Sequence, residues 1–275
     1  MAMMPTITSP SNPRIKQIRA LGQRKQRDST GLCVAEGIFH TGEALAAGDV
    51  DHLIYAPELL TSPFGRELVA GAEAGGIPVY QVTAGVMASV ADKENPQGLL
   101  AVVRQRRALL EALSPASHPW LVALVAPQDP GNVGTILRTI DAVGAAGLIL
   151  LDGGVDPYHP AAIRAAMGTL FRLPVVQSSW SEFAGWARAN GYYLYGTSAH
   201  GRIDYRDVDG YTAPLILLMG SEREGLTAEQ AAACDALVRL PMHGRAGSLN
   251  LAVAAGVFLY AIHDSLAAED TGPGA

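Results

Sequence analysis

Three short polar segments of this chain carry residue types that could do chemistry. Pro127–Arg138 (PQDPGNVGTILR) offers Asn132, an amide that both donates and accepts, and Arg138, a permanent cation whose planar fork suits phosphate. Gly220–Gly225 (GSEREG) offers Glu222, a carboxylate able to take a proton or face a cation. Residues 239–256 (RLPMHGRAGSLNLAVAAG) offer the cationic pair His243 and Arg245, then Ser248 and Asn250 at the mouth of an apolar run. Each also has an ordinary reading. Arg138 would be a solvated helix arginine, Glu222 a partner for Arg223 or Arg245, and Asn250 a backbone hydrogen-bonder.

Other chemistries lack their residues. No GxGxxG follows a strand, and neither GxxxxGK[ST] nor GxSxG occurs. The seven histidines show no HExxH or paired spacing, so metal catalysis and a serine-hydrolase triad are not expected. Loop residues His159 and His243 read as surface groups.

The elements that would position these residues are short and apolar. WLVALVA (120–126) is a fully apolar strand of the kind buried in parallel sheets. A helix follows over 132–143, with Asn132 as its N-cap and Gly144 as its stop, and then a strand in GLILLDGG (147–154). The alternation continues with a helix in HPAAIRAAMG, a strand in LPVV and a helix from Ser181, its cap. Strands follow in YYLYGTS and PLILLMG. A Thr227–Gln230 capping box, a strand in ALVRLPM and a helix over 248–266 that opens at Ser248 complete the pattern. That gives about six strands, with all three polar segments at strand ends, where ligands bind in open α/β sheets. The last helix is apolar on every face, so both sides should be covered, the second by another copy of the chain or by its own.

The first hundred residues form a smaller alternation. A basic helix is expected over 11–21, strands over 32–36, 50–57, 77–83 and 98–103, and helices over 38–47, 65–74 and 84–91. The proline-bearing stretch 108–119 reads as a linker, giving domains 1–107 and 120–275.

Composition bounds the partners. The 275 residues are 49% hydrophobic with net charge −6, so the chain as a whole is no basic nucleic-acid binder. Residues 1–30 nevertheless carry six cations against Asp28 alone, and Arg104, Arg106 and Arg107 cluster later, a local charge suited to phosphate backbones. Cys33 and Cys234 are lone thiols without metal-ligand spacing. No signal-peptide pattern or apolar run of membrane-spanning length is apparent, so a soluble cytoplasmic protein is expected.

The three segments, in this order, resemble the SpoU-type (TrmH-like) RNA ribose 2′-O-methyltransferases of the SPOUT superfamily. PGNVGTILRTIDAVGAAGLILLDG is similar to that family's first motif, LILLMGSEREGL to its second and LPMHGRAGSLNLAVAAG to its third, with DPYHPAAIRAAMGTLFRLPV between them. The resemblance covers roughly 120–262 and extends more weakly to VAEGIFHTGEAL and NPQGLLAVV, which resemble the family's ribosomal-protein (L30e-like) substrate-binding domain. Departures are Ser221 in place of a frequent Asn, Ala246-Gly247 in place of a bulkier pair, and Ala166 in place of Ser.

The resemblance implies an α/β architecture: a parallel-sheet domain with a trefoil knot, behind a smaller N-terminal α/β domain that binds substrate RNA. It implies a homodimer and S-adenosylmethionine as cofactor, held at Thr197, Gly220, Leu240 and Leu249. It places catalysis on Arg138, with a phosphate oxygen or Glu222 as the proton acceptor and Asn132, Ser248 and Asn250 orienting the ribose. The implied substrate is large-subunit (23S) rRNA. A tRNA or base methyltransferase, and a non-catalytic RNA-binding or ribosome-assembly protein on the same fold, remain alternatives. Neither a metal nor a membrane partner is implied.

Overall fold

The computed structural model describes residues 6–270, which divide into two compact units. Unit 1 runs to Arg106 and takes in a later segment, Tyr158–Arg172; unit 2 holds the rest.

In unit 1, α1 (Pro13–Ala20) and α2 (Arg24–Thr30) precede β1 (Leu32–Glu36), α3 (Ile38–Ala47), β2 (Val50–Tyr55), α4 (Pro63–Ala74), β3 (Val79–Gln81), α5 (Ala84–Ala88) and β4 (Leu99–Arg104). Two helix starts move by two residues from their expected places, α1 later and α4 earlier. Asn12 and Ser62 accept from the backbone at the heads of α1 and α4, each just before a proline, and left-handed Gly48 stops α3. The sheet order is β1-β4-β2-β3, antiparallel except for β2 with β3. Ile15, Ile18 and Leu21 of the first helix and its C-cap bury against Ile54, Met87 and Val102.

Helix α2 has no apolar stripe and no counterpart in the sequence reading. Arg27 explains it: its side chain is 2% exposed and donates to the carbonyls of Leu21 and Gly22 at 2.8 and 2.9 Å. One of the six cations of the basic stretch is thus structural. Arg104 and Arg106 likewise pair with Asp51 and Asp49 within the unit.

Unit 2 comprises β5 (Trp120–Val125), α6 (Pro130–Val143), β6 (Leu148–Leu151), β7 (Val175–Ser178), α8 (Trp180–Ala189), β8 (Tyr193–Thr197), β9 (Ile203–Asp204), β10 (Leu215–Met219), α9 (Ala228–Ala233), β11 (Ala236–Arg239) and α10 (Leu251–Asp270). Between β6 and β7 the chain leaves for unit 1, where it forms α7 (Pro160–Ala166). All seven strands pair in parallel, in the order β7-β6-β5-β10-β8-β11-β9. The seventh, β9, is two residues long, too short for any periodicity to announce. Leu121, Ala123, Ile149, Ile216 and Leu218 are fully buried on one core with Phe183.

Several expected starts move by a turn or less. Helix α6 opens at Pro130 and is capped by Asp129, whose carboxylate accepts from the Asn132 N–H at 2.7 Å, so Asn132 is not the N-cap. Helix α8 is capped by Ser179 in a capping box with Glu182 rather than by Ser181. Helix α10 begins at Leu251, with the Asn250 side chain accepting from Ala252 and Val253, so Asn250 caps it and Ser248 does not. The Thr227–Gln230 capping box forms as expected.

The stretch 108–119 is not a free linker. Leu110 and Leu113 bury in the core of unit 2, and Ala108 bridges to Val176. Its three-residue apolar spacing forms a single 3-10 turn, too short to read as a helix.

Helix α10 carries two stripes. Leu251, Ala255, Phe258, Leu259 and Ile262 are buried, whereas Leu249 just before it, Val253 and Tyr260 stand 41%, 54% and 52% exposed. The window Leu251–Ala268 has mean hydropathy 1.6. By length and composition it could cross a membrane, contrary to the expectation that no such run exists. Its inner stripe instead packs on α6.

Candidate active site

The carboxyl ends of β8, β10 and β11 lie side by side, because β10 inserts between β5 and β8 and β11 adds beyond β8. Each end releases one polar loop into the same space, the crevice position where open parallel sheets bind ligands. A cavity of about 700 Å³ results, bounded by Thr197–His200 after β8, Gly220–Leu226 after β10 and Leu240–Leu251 after β11.

Seven of the nine residues singled out from the sequence line it: Thr197, Gly220, Glu222, Leu240, Ser248, Leu249 and Asn250. Asn132 joins from α6, because the Asn250 amide donates to its Oδ1 at 3.0 Å. This single bond ties the head of α6 to the head of α10. Arg138 lies apart. It is exposed on α6, six residues beyond Asn132 and so about 9 Å further along the helix axis.

The second loop is built around Gly220. A Cβ there would come within 2.1 Å of the Gly225 carbonyl carbon and 2.4 Å of the Leu226 nitrogen, so no other residue fits. Ser221 and Gly225 then exchange backbone hydrogen bonds at 3.1 and 3.0 Å, with Gly225 in the left-handed region. The tight loop this makes holds Glu222 toward the end of β5. Both its oxygens accept from the Gln128 N–H at 3.2 Å. The carboxylate is exposed yet oriented by that contact.

The sequence reading missed Gln128, which acts through its backbone and so through no residue type, and Asp129, whose Asp-Pro signal at a helix head was legible. It also missed His200 and Phe258, which line the cavity. His243 and Arg245 are exposed in the third loop and are not among the lining residues. Among the described residues no three His, Cys, Asp or Glu side chains group as a metal site.

The donor set fits a nucleoside-like cofactor with a cationic centre. Strand-end backbone groups after β8 and β11 offer hydrogen bonds, Leu240, Leu249 and Phe258 offer apolar surface, and Glu222 and Glu224 offer negative charge.

Residues 119–260 match the SpoU rRNA Methylase family model, and residues 12–101 match an MRM3-like substrate binding domain. The 23S rRNA (guanosine(2553)-2′-O)-methyltransferase RlmP of Bacillus subtilis (strain 168) is 30% identical over 94% of this chain and 98% of its own length. The 23S rRNA (uridine(2479)-2′-O)-methyltransferase of Streptomyces viridochromogenes is 35% identical, over 90% of this chain and 88% of its own. The AdoMet-bound rRNA methyltransferase from Sinorhizobium meliloti shares the fold with a TM-score of 0.87 at 38% identity, covering 95% of this chain and 98% of that one. With its second and third polar motifs gathered on one cavity, Asn132 of the first hydrogen-bonded to them, and both of its parts matched, the chain belongs to the SpoU rRNA methylase family.

Proposed function

We propose that this protein transfers the methyl group of S-adenosylmethionine to a ribose 2′-OH of large-subunit (23S) rRNA. The observation that carries the reading is the single cavity that collects the β8, β10 and β11 loops. Family membership and the activities named for the two curated relatives support it.

Thr197, Gly220, Leu240 and Leu249 hold the cofactor, which supplies a methyl group on a sulfonium leaving group. The rest of the work falls to this chain. The attacking ribose oxygen must be aligned and relieved of its proton; alignment is worth roughly 7–11 kcal/mol of barrier and a placed proton acceptor roughly 10²–10⁴ in rate. Glu222, fixed by Gln128, takes the proton as the new oxygen–carbon bond forms and the carbon–sulfur bond breaks. Arg138 is always protonated and cannot be that base; it clamps an RNA phosphate and stabilises the developing alkoxide. Asn132, Asn250 and Ser248 orient the ribose, the first two as a hydrogen-bonded pair.

Residues 1–107 select the RNA, 108–119 lead out of that region, and 120–275 form the catalytic domain, knotted as in its family. The catalytic domain works as a homodimer through the outer stripe of α10. Its work on rRNA places it in the cytoplasm.

The deciding experiment is transfer of labelled methyl from S-adenosylmethionine to total cellular RNA, followed by digestion to nucleosides. Label in a 2′-O-methyl nucleoside of 23S rRNA is the expected result. Label on a base, or in tRNA, overturns the substrate assignment and keeps the chemistry of the cofactor. Absence of both label and cofactor binding by calorimetry overturns the enzymatic reading.

A further inference from the structure

Unit 1 holds a cavity of its own, distant in sequence from the loops described above. Its volume is about 190 Å³, the space of about six waters, enough for one planar ring system and not for a length of nucleic acid. Its walls are Ile18, Leu21, Val34, Val90 and Ile163, apolar surface suited to the faces of a flat ring. At one end stands the Glu36 carboxylate. Its Oε2 accepts from the Asp92 N–H at 2.7 Å, while Oε1 is enclosed and has no hydrogen-bond partner among the described residues. An enclosed carboxylate oxygen left without a donor is costly, and a ligand that brings N–H groups removes the cost. Two guanidinium groups line the same cavity and are already fixed. Arg19 donates to the backbone and hydroxyl of Ser89 at 3.1 and 3.0 Å, and Arg164 pairs with Asp92. Both retain N–H donors for a phosphate.

We propose that this cavity reads one unstacked guanine of the RNA, its ring between the apolar walls, its Watson–Crick edge on Glu36 and its phosphate at Arg19 and Arg164. The inference rests on RNA being the substrate and goes beyond it by naming a base and the residue that reads it. Guanine is singled out because its Watson–Crick edge carries two adjacent donors, N1–H and the 2-amino group, that match a carboxylate. Adenine, cytosine and uracil each set acceptors beside their donor and would bring lone pairs against Glu36. Reading single-stranded loops through the Watson–Crick edge is the usual route to sequence selectivity in RNA.

The test uses the full chain and fluorescently labelled ten-nucleotide uridine-rich RNAs that carry one guanosine, one inosine, or neither. Inosine keeps N1–H and loses the amino group. The guanosine RNA should bind at least ~10-fold more tightly than the other two, as expected for a hydrogen bond to a charged group. E36Q, which keeps the shape and the acceptor for Asp92, should level the three affinities. V90F, which fills the cavity and leaves Glu36 in the chain, should do the same and decides the matter if E36Q does not fold. Both variants should keep S-adenosylmethionine affinity. Equal binding of the three RNAs by the unaltered chain, or a guanosine preference that survives both substitutions, overturns the proposal. Guanosine selectivity lost in E36Q, with no methyl transfer to any RNA, would leave the pocket standing and overturn the functional reading; methyl transfer without selectivity would do the reverse.

Discussion

A methyl group at Gly220 has nowhere to go, since the obstacle is the backbone of Gly225 and Leu226 and not a movable side chain. G220A must therefore push the β10 loop open. We expect a stability loss of about 1–3 kcal/mol, the usual cost of overpacking, and at least tenfold weaker S-adenosylmethionine binding by calorimetry. Unchanged binding would mean that the loop does not shape the cofactor site. Arg138 predicts the opposite split, because it is exposed on α6 and does not line the cavity. R138A should lower methyl transfer by ~10² or more with cofactor affinity nearly intact, and R138K should also be poor because it loses the planar fork. Equal loss of activity and cofactor affinity in R138A would remove it from the chemistry.

At the scale of elements, the heads of α6 and α10 act as one piece. Asn250 caps α10 with its oxygen and donates to Asn132 with its nitrogen, so one side chain serves a fold role and a site role. The two separate in variants. N250A should cost about 1 kcal/mol of stability through the lost cap as well as activity, seen in thermal melts and turnover. N250D keeps the cap acceptor and cannot donate to Asn132, so it should melt as the parent does and turn over more slowly.

Which of these features the sequence disclosed follows from the same chemistry. Capping side chains and buried strands speak through residue type and period, so the Thr227–Gln230 box and the apolar β5, β8, β10 and β11 were legible, as was a cavity where their loops end. The rest depends on backbone or on distant partners. The Gln128 N–H that holds Glu222, the buried Arg27 that makes α2 a helix, and the two-residue β9 leave no pattern along the chain.

Over the whole molecule, two histidines of unit 1 set a pH dependence. Burial pushes His40 below the ordinary imidazole value, and burial does the same to His52 although its hydrogen bond with Asp51 pulls the other way. In the unfolded chain both titrate near ~6.5. Their contribution to stability is therefore fully present above that pH. It declines as pH falls below it, because the unfolded state takes up protons first. Melting temperature should fall on acidification from about pH 6.5, and a His40→Gln, His52→Gln double variant should flatten that slope; an unchanged slope would exclude these two groups as its source. A second whole-molecule prediction concerns α10, whose exposed Val253 and Tyr260, with Leu249 just ahead of the helix, share a stripe with Gly256, where an added Cβ would meet nothing. V253E places a charge in that stripe and should convert the proposed homodimer to a monomer by sedimentation. A monomeric parent chain would refute the dimer.

Unit 1 is closed by a piece of chain that comes late. Helix α7 packs on β1 within it, and the His40 ring meets the Arg164 carbonyl, yet some 50 residues of unit 2 lie between Arg106 and Tyr158. On the ribosome, the first 106 residues are made well before Arg172 emerges, an interval of roughly 3–13 s at ordinary elongation rates. Until then β1 and α3 wait for a cover that their own stretch of chain cannot provide. The order of synthesis thus ties completion of unit 1 to a nascent chain that already includes β5, α6 and β6 of unit 2.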